Sequence, residues 1–129
     1  MNLEELSYKI RGAIFEVFKE LGPGLLESVY EMALLKELNL QGVEVKSQVP
    51  IPVFYKSEHL EIGFRIDLLI ENKIILEIKS VKEIEDVHKK QLLTYLKLSE
   101  LQIGYLVNFN VSFLQDKISL IRIVNKYQN

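Results

Sequence analysis

Three residues near the middle of the chain have the types and spacing that chemistry on a phosphodiester asks for: Asp67, then, after nine intervening residues, Glu77 and Lys79. Two carboxylates are the minimum for holding Mg²⁺, which takes oxygen ligands near ~2.1 Å and keeps several waters. An ammonium group beside them can meet a phosphate or an attacking water, where charge develops as the bond breaks. A Glu-x-Lys pair on an exposed strand commonly signals only solvation or a cross-strand ion pair. Asp67 is less easily set aside, because a short acid among Phe64, Ile66, Leu68 and Leu69 has poor strand propensity and needs a reason to be there.

The elements that must position these residues follow from periodicity. From Leu60 to Ile70 the even positions Leu60, Ile62, Phe64, Ile66, Leu68 and Ile70 are apolar, opposite Glu61, Gly63, Arg65 and Asp67. The pattern resumes with Ile74, Leu76 and Ile78 on one face and Ile75, Glu77 and Lys79 on the other. A hairpin with a three-residue loop, Glu71-Asn72-Lys73, pairs Ile70 with Ile74, Leu68 with Leu76 and Ile66 with Ile78. It sets Asp67 opposite Glu77, whereas a two-residue turn at Asn72-Lys73 reverses every side chain. Opposed Cβ atoms lie roughly 4.5–5.5 Å apart, close enough to share a cation, and like charges so placed destabilise a sheet unless a cation or proton sits between them.

Around this hairpin the spacing predicts a first helix carrying Leu6, Ile10, Ala13, Val17 and Leu21, capped by Asn2 and Glu5 and stopped at Gly22-Pro23. A second helix runs from Leu25 through Ala33, Leu34 and Leu38 to Gly42. Val43 to Val53 reads as an edge strand, since Pro50 and Pro52 cannot donate to a ladder. A third helix over roughly Glu85 to Leu98 has Val87, Leu92 and Leu96 on an inner stripe and His88, Gln91 and Tyr95 on a neighbouring one. His88 is expected at the surface, one turn from the rim of the site. Strands near Ile103 to Asn108 and Ile118 to Val124 close the order α-α-β-β-β-α-β-β.

Composition narrows the function classes. With 129 residues, 48% of them hydrophobic, the chain fits one domain with a core of its own, and no repeat or linker divides it. The absence of cysteine removes disulfide frameworks, Cys-based zinc sites and thiol nucleophiles. No run approaches the ~20 apolar residues of a membrane span, and the start, Met1-Asn2-Leu3-Glu4-Glu5-Leu6, is acidic, so the expected location is the cytoplasm. Gly22-Pro23-Gly24 lacks the GK[ST] ending of a phosphate-cradling loop. A net charge of −2 counsels against broad nonspecific nucleic-acid affinity, although carboxylates gathered for a metal lower the total.

Asp67, nine residues, then Glu77-Ile78-Lys79 on a hairpin resembles the D-x(n)-(D/E)-x-K core of the PD-(D/E)xK nuclease superfamily. More narrowly, Gly24-Leu25-Leu26-Glu27-Ser28-Val29-Tyr30 is similar to the signature of the small prokaryotic GxxExxY proteins, and the resemblance runs through nearly the whole chain. It implies an α/β, restriction-endonuclease-like fold with an αβββαβ core, a mixed sheet flanked by helices, as a single domain over residues 1–129. It further implies Mg²⁺ or Mn²⁺ held by Asp67 and Glu77, completed by Glu27, with Lys79 beside the scissile phosphate. Gln91-Leu92-Leu93-Thr94-Tyr95 matches the Q-x-x-x-Y motif that touches the active site in related nucleases. Ile66 stands where the superfamily often has proline. The implied partner is nucleic acid, with DNA the expected substrate and a homodimer a reasonable expectation. A noncatalytic nucleic-acid or protein interaction module on the same fold is the alternative reading.

Overall fold

In a computed structural model, which describes residues 1–126, two helices pack on one face of a five-stranded mixed sheet and a third helix covers the other. The order is α1 (Leu3–Leu21), α2 (Glu27–Leu40), β1 (Val45–Tyr55), β2 (Glu58–Ile70), β3 (Ile74–Lys79), α3 (Asp86–Ser99), β4 (Ile103–Asn108) and β5 (Leu120–Val124). It reproduces the expected order element for element, as an α/β fold with a mixed sheet flanked by helices. The strands lie in the sequence β1-β2-β3-β4-β5, antiparallel throughout except for the parallel pair β3 and β4, which α3 connects.

Local signals explain the element ends. The Asn2 side chain accepts from the Glu5 N–H at 2.8 Å and starts α1, and Gly22 ends it at φ +67°, a left-handed conformation that glycine adopts at little cost. Edge strand β1 accommodates Pro50 and Pro52, as a central strand would not. The three-residue loop after β2 is realised, with Glu71 and Asn72 at positive φ and the Lys73 N–H donating to the Ile70 carbonyl at 2.9 Å. At the start of α3, Glu85 and His88 form a capping box, in which His88 Nδ1 accepts from the Glu85 N–H at 2.9 Å. His88 therefore serves as a cap of α3.

The sheet divides the core in two. Leu6, Ile10, Ile14, Tyr30, Leu34 and Leu38 of α1 and α2 pack with Leu68, Ile70, Ile74, Leu76 and Ile78, while Leu92, Tyr95 and Leu96 of α3 pack with Ile51, Ile66, Ile75 and Leu106. Two expectations fail here. Val87 is 61% exposed and is not part of the α3 inner stripe, where Tyr95 is instead buried. The even positions of β2 also do not share one face: Leu68 and Ile70 join the α1–α2 cluster, whereas Ile66 joins the α3 cluster and Phe64 meets Tyr95 in a tilted ring contact at 5.2 Å. The Ile62 side chain lies outside the described residues.

The change of face has a local cause. In β1, Val45 packs toward α1 and α2 while Val49 and Ile51 pack toward α3, so both strands switch sides at the same level. Between the paired positions Ser47–Leu68 and Val49–Ile66, Gln48 and Asp67 face each other without pairing, and Gln48 adopts φ +53°. A single left-handed residue breaks the two-residue alternation of a strand, after which apolar residues at the same parity point the other way. Asp67 sits at that break.

Candidate active site

The β2–β3 ladder follows the expected register through Ile70–Ile74, Leu69–Ile75 and Leu68–Leu76, and there it ends. The expected rung between Ile66 and Ile78 does not form; these two side chains lie on opposite sides of the sheet. The acids take over where main-chain pairing stops. Glu77 Oε2 accepts from the Asp67 N–H at 2.7 Å, and Asp67 Oδ2 accepts from the Ile78 N–H at 2.8 Å. Each carboxylate thus occupies the place of a carbonyl on the neighbouring strand, opening a gap lined by both acids and satisfying buried N–H groups that would otherwise be costly.

Glu77 is only 5% exposed. Burial first, and then the Asp67 charge, push its carboxyl up to about 8, against the opposing pull of the Asp67 N–H and of Lys79. Burial likewise raises Asp67, opposed by the Ile78 N–H and by Lys79 and reinforced by the charge of Glu27. The positive charge that bears on both acids is Lys79, two residues beyond Glu77 on the last position of β3. Asp67 and Glu77 thus meet through backbone amides of each other's strand and not as the directly opposed ladder pair expected, with the Lys79 charge bearing on both.

Glu27 reaches the site from α2, but its Oε2 accepts from the Ser80 N–H at 2.9 Å, so this carboxylate also holds the chain just past Lys79. The same joint is tied by the Ser80 hydroxyl donating to the Leu25 carbonyl at 2.8 Å. Tyr30 fixes the loop from its other side: fully buried and stacked on Phe109 at 4.2 Å, it donates to the Gly22 carbonyl at 2.6 Å and accepts from the Leu25 N–H at 3.1 Å. The Gly24-to-Tyr30 motif is therefore a clasp. Tyr30 and Phe109 anchor the loop, and Leu25 and Glu27 grip Ser80.

From α3, the Tyr95 hydroxyl is raised by burial and then by the charges of Glu77 and Asp67, which places it within their field, and Gln91, one turn earlier on the helix, is exposed. Two further residues belong to the site that sequence reasoning passed over. Glu31, one helical turn after Glu27, is raised by burial and by the Asp67 charge, and its own charge bears on Glu77. Gln48 donates to Glu31 Oε1 at 2.7 Å and stands across from Asp67 on the neighbouring strand. The i, i+4 spacing of Glu27 and Glu31 was the available signal, since such residues lie on one helix face. Gln48 had none, because its effect depends on the break in β1.

Among the described residues, no three His, Cys, Asp or Glu side chains are arranged closely enough to form a metal cage. The two central acids nonetheless fit a hard divalent cation. They repel each other while buried, one oxygen of each is committed to the backbone, and the remaining oxygens are the donors a cation would take along with water.

Among the described residues, no helix is long and apolar enough to cross a membrane. A family model of the PD-(D/E)XK nuclease superfamily matches residues 4–122, a span that holds the clasp, the whole hairpin and α3. No curated protein matches the chain.

Proposed function

The chain belongs to the PD-(D/E)XK nuclease superfamily, and from that membership we propose that it is a Mg²⁺- or Mn²⁺-dependent phosphodiesterase acting on DNA in the cytoplasm, one of the GxxExxY proteins. The observation that carries this reading is the exchange of carboxylates across the β2–β3 gap, which aims two acids of perturbed pKa at one place with Lys79 alongside. Asp67 and Glu77 would hold the cation, with Glu27 a further acid at the rim. Bound there, a divalent ion would activate an attacking water and offset the charge that builds on the phosphate.

The protein's own groups account for the rest. Backbone hydrogen bonds from Asp67 and Ile78 pin the two carboxylates, so that little reorganisation is needed when charge develops nearby. Lys79 supplies a cation to a non-bridging phosphate oxygen or orients the water. Tyr95, with Gln91 one turn before it, closes the α3 side and keeps a hydroxyl near both acids. The clasp on Ser80 fixes where β3 ends, and with it the position of Lys79.

The test uses pooled single- and double-stranded DNA and RNA, with Mg²⁺, Mn²⁺ or chelator. Cleavage of DNA only with metal, abolished in Asp67→Asn and Lys79→Ala, is the expected result. The absence of a three-acid cage among the described residues and the net charge of −2 favour a second reading, a noncatalytic interaction module on the same fold. Mn²⁺ binding with no cleavage of any pool selects that reading.

A further inference from the structure

Three lysines from three separate segments line one cavity of about 240 Å³: Lys82 after β3, Lys89 near the start of α3 and Lys117 before β5. Glu83, Asn108 and Ile121 share its wall. Ile75, Leu106 and Ile121 pack against α3, so alternation puts Glu77, Lys79 and Asn108 on that side of the sheet as well. Asn108 is the β4 partner of Lys79, one strand spacing of about 4.8 Å away, and the cavity therefore adjoins the site. Its walls are tied down. Asn108, buried, accepts from the Val81 N–H at 3.0 Å and donates to the Val81 carbonyl at 2.9 Å, which holds the chain leading to Lys82. The turn that carries Lys117 is closed by its N–H donating to the Leu120 carbonyl at 2.9 Å and by the Gln115 N–H donating to Ser119 Oγ at 2.8 Å. Lys117 stands there at φ +68°, where glycine or asparagine is usual.

The positive charge of this cavity is largely uncompensated. Asp116, the acid next to Lys117, is held by Arg11 through both carboxylate oxygens. Lys89 has only Asp86, at 4.0 Å, the outer limit of an ion pair, and among the described residues neither Lys82 nor Lys117 has an ion pair. Against three ammonium groups the wall sets one carboxylate, Glu83, in a chain whose net charge is −2. We propose that this cavity binds a backbone phosphate of a nucleic-acid strand, close to the phosphate that lies at Lys79. Lysines act on phosphate as point charges, and contacts to the backbone fix a strand's register without reading its sequence. A local basic cavity also supplies affinity that the overall charge withholds. The inference rests on the nucleic-acid reading of the site and adds the path of the strand, from the β2–β3 gap across the end of β4 toward the turn at Lys117.

The contact needs no metal, so it is tested with chelator present, by fluorescence anisotropy of labelled single- and double-stranded DNA over a range of salt. Lys117→Gly removes an ammonium while suiting the positive φ, Lys82→Ala removes another, and Lys117→Arg keeps the charge. Lys36→Ala, at an exposed position of α2 across the sheet, is a control with the same change in net charge. Binding should weaken in Lys117→Gly and in Lys82→Ala, and the slope of log affinity against log salt should become shallower by about one in each. Lys117→Arg and Lys36→Ala should keep the wild-type slope. Slopes in both lysine-removing variants that match Lys36→Ala overturn the inference, as does a wild-type protein that binds no DNA in chelator. Metal-dependent cleavage that persists in either case leaves the phosphodiesterase reading standing. Amide shifts at Lys82 and Lys117 on titration with inorganic phosphate, with none on adding DNA, assign the cavity to a free phosphate and overturn the strand path. Weakened, shallower binding in a protein that cleaves no pool upholds the contact and removes the phosphodiesterase reading alone.

Discussion

Replacing Glu77 by glutamine should change how stability depends on pH, and the size of the change follows from where the carboxyl sits. In the unfolded chain Glu77 loses its proton near the ordinary 4.5, whereas burial and the Asp67 charge hold the folded value at about 8. Between these values the folded state keeps a proton that the unfolded state has released. Stability is therefore fully present below the unfolded value and is lost as pH rises through the folded one. Each pH unit inside the window is worth up to about 1.4 kcal/mol, so the group alone should remove on the order of 3 kcal/mol between about pH 5 and about pH 7.5. The upward shifts of Asp67 and Glu31 act in the same sense.

In the Glu77→Gln variant the amide keeps an oxygen that can accept from the Asp67 N–H but does not titrate, so the variant should overtake wild type as pH rises. The assay is urea unfolding of metal-free protein at stepped pH, followed by circular dichroism because the chain has no tryptophan. Stability curves for wild type and Glu77→Gln that stay parallel from about pH 5 to about pH 8 would refute the buried, repelling acid pair.

Other outcomes follow from the same structure. Divalent-cation binding at neutral pH should release close to one proton, visible as a dependence of calorimetric heat on the buffer's ionisation enthalpy, because binding requires both acids ionised. Tyr30→Phe should lose about 1–3 kcal/mol in urea unfolding, since the Leu25 N–H and Gly22 carbonyl lose a shared partner. Gly104→Ala should lose about 1–3 kcal/mol, because a Cβ there stands 2.9 Å from Leu92 Cδ1, and Leu92→Ala should shrink that penalty in a double-mutant cycle. His88→Ala should cost about 1 kcal/mol through the lost cap while leaving any cleavage intact.

What could be read from the sequence was whatever depends on local rules. The alternation through Ile74 and Leu76 and the three-residue loop set the β2–β3 register as far as Leu68–Leu76, which leaves Asp67 and Glu77 just past the end of the ladder. Helix caps, the edge position of the proline-bearing strand and the element order likewise rest on neighbours a few residues apart. The rest depended on tertiary contacts. Alternation on β2 does not announce that its pairing with β1 is interrupted at Gln48 and Asp67, beyond which Ile66 lies on the α3 side. Glu31 and Gln48 enter the site only once α2 lies against that break. Val87 fits the helical period but falls in the first turn of α3, short of the sheet, and stays in solvent.

The exchange of carboxylates for carbonyls across the β2–β3 gap makes each central acid a structural fastener before it is anything else. Deleting either side chain strands an amide of the opposite strand, whether or not the protein ever meets a phosphate. A descendant with a different task would still be pressed by its own sheet to retain an acid, or a close isostere, at both places. Keeping Asp67 and Glu77 is thus evidence first of an intact hairpin, and Lys79, which the ladder does not need for its own hydrogen bonds, is the residue whose loss would more cleanly mark a change of trade.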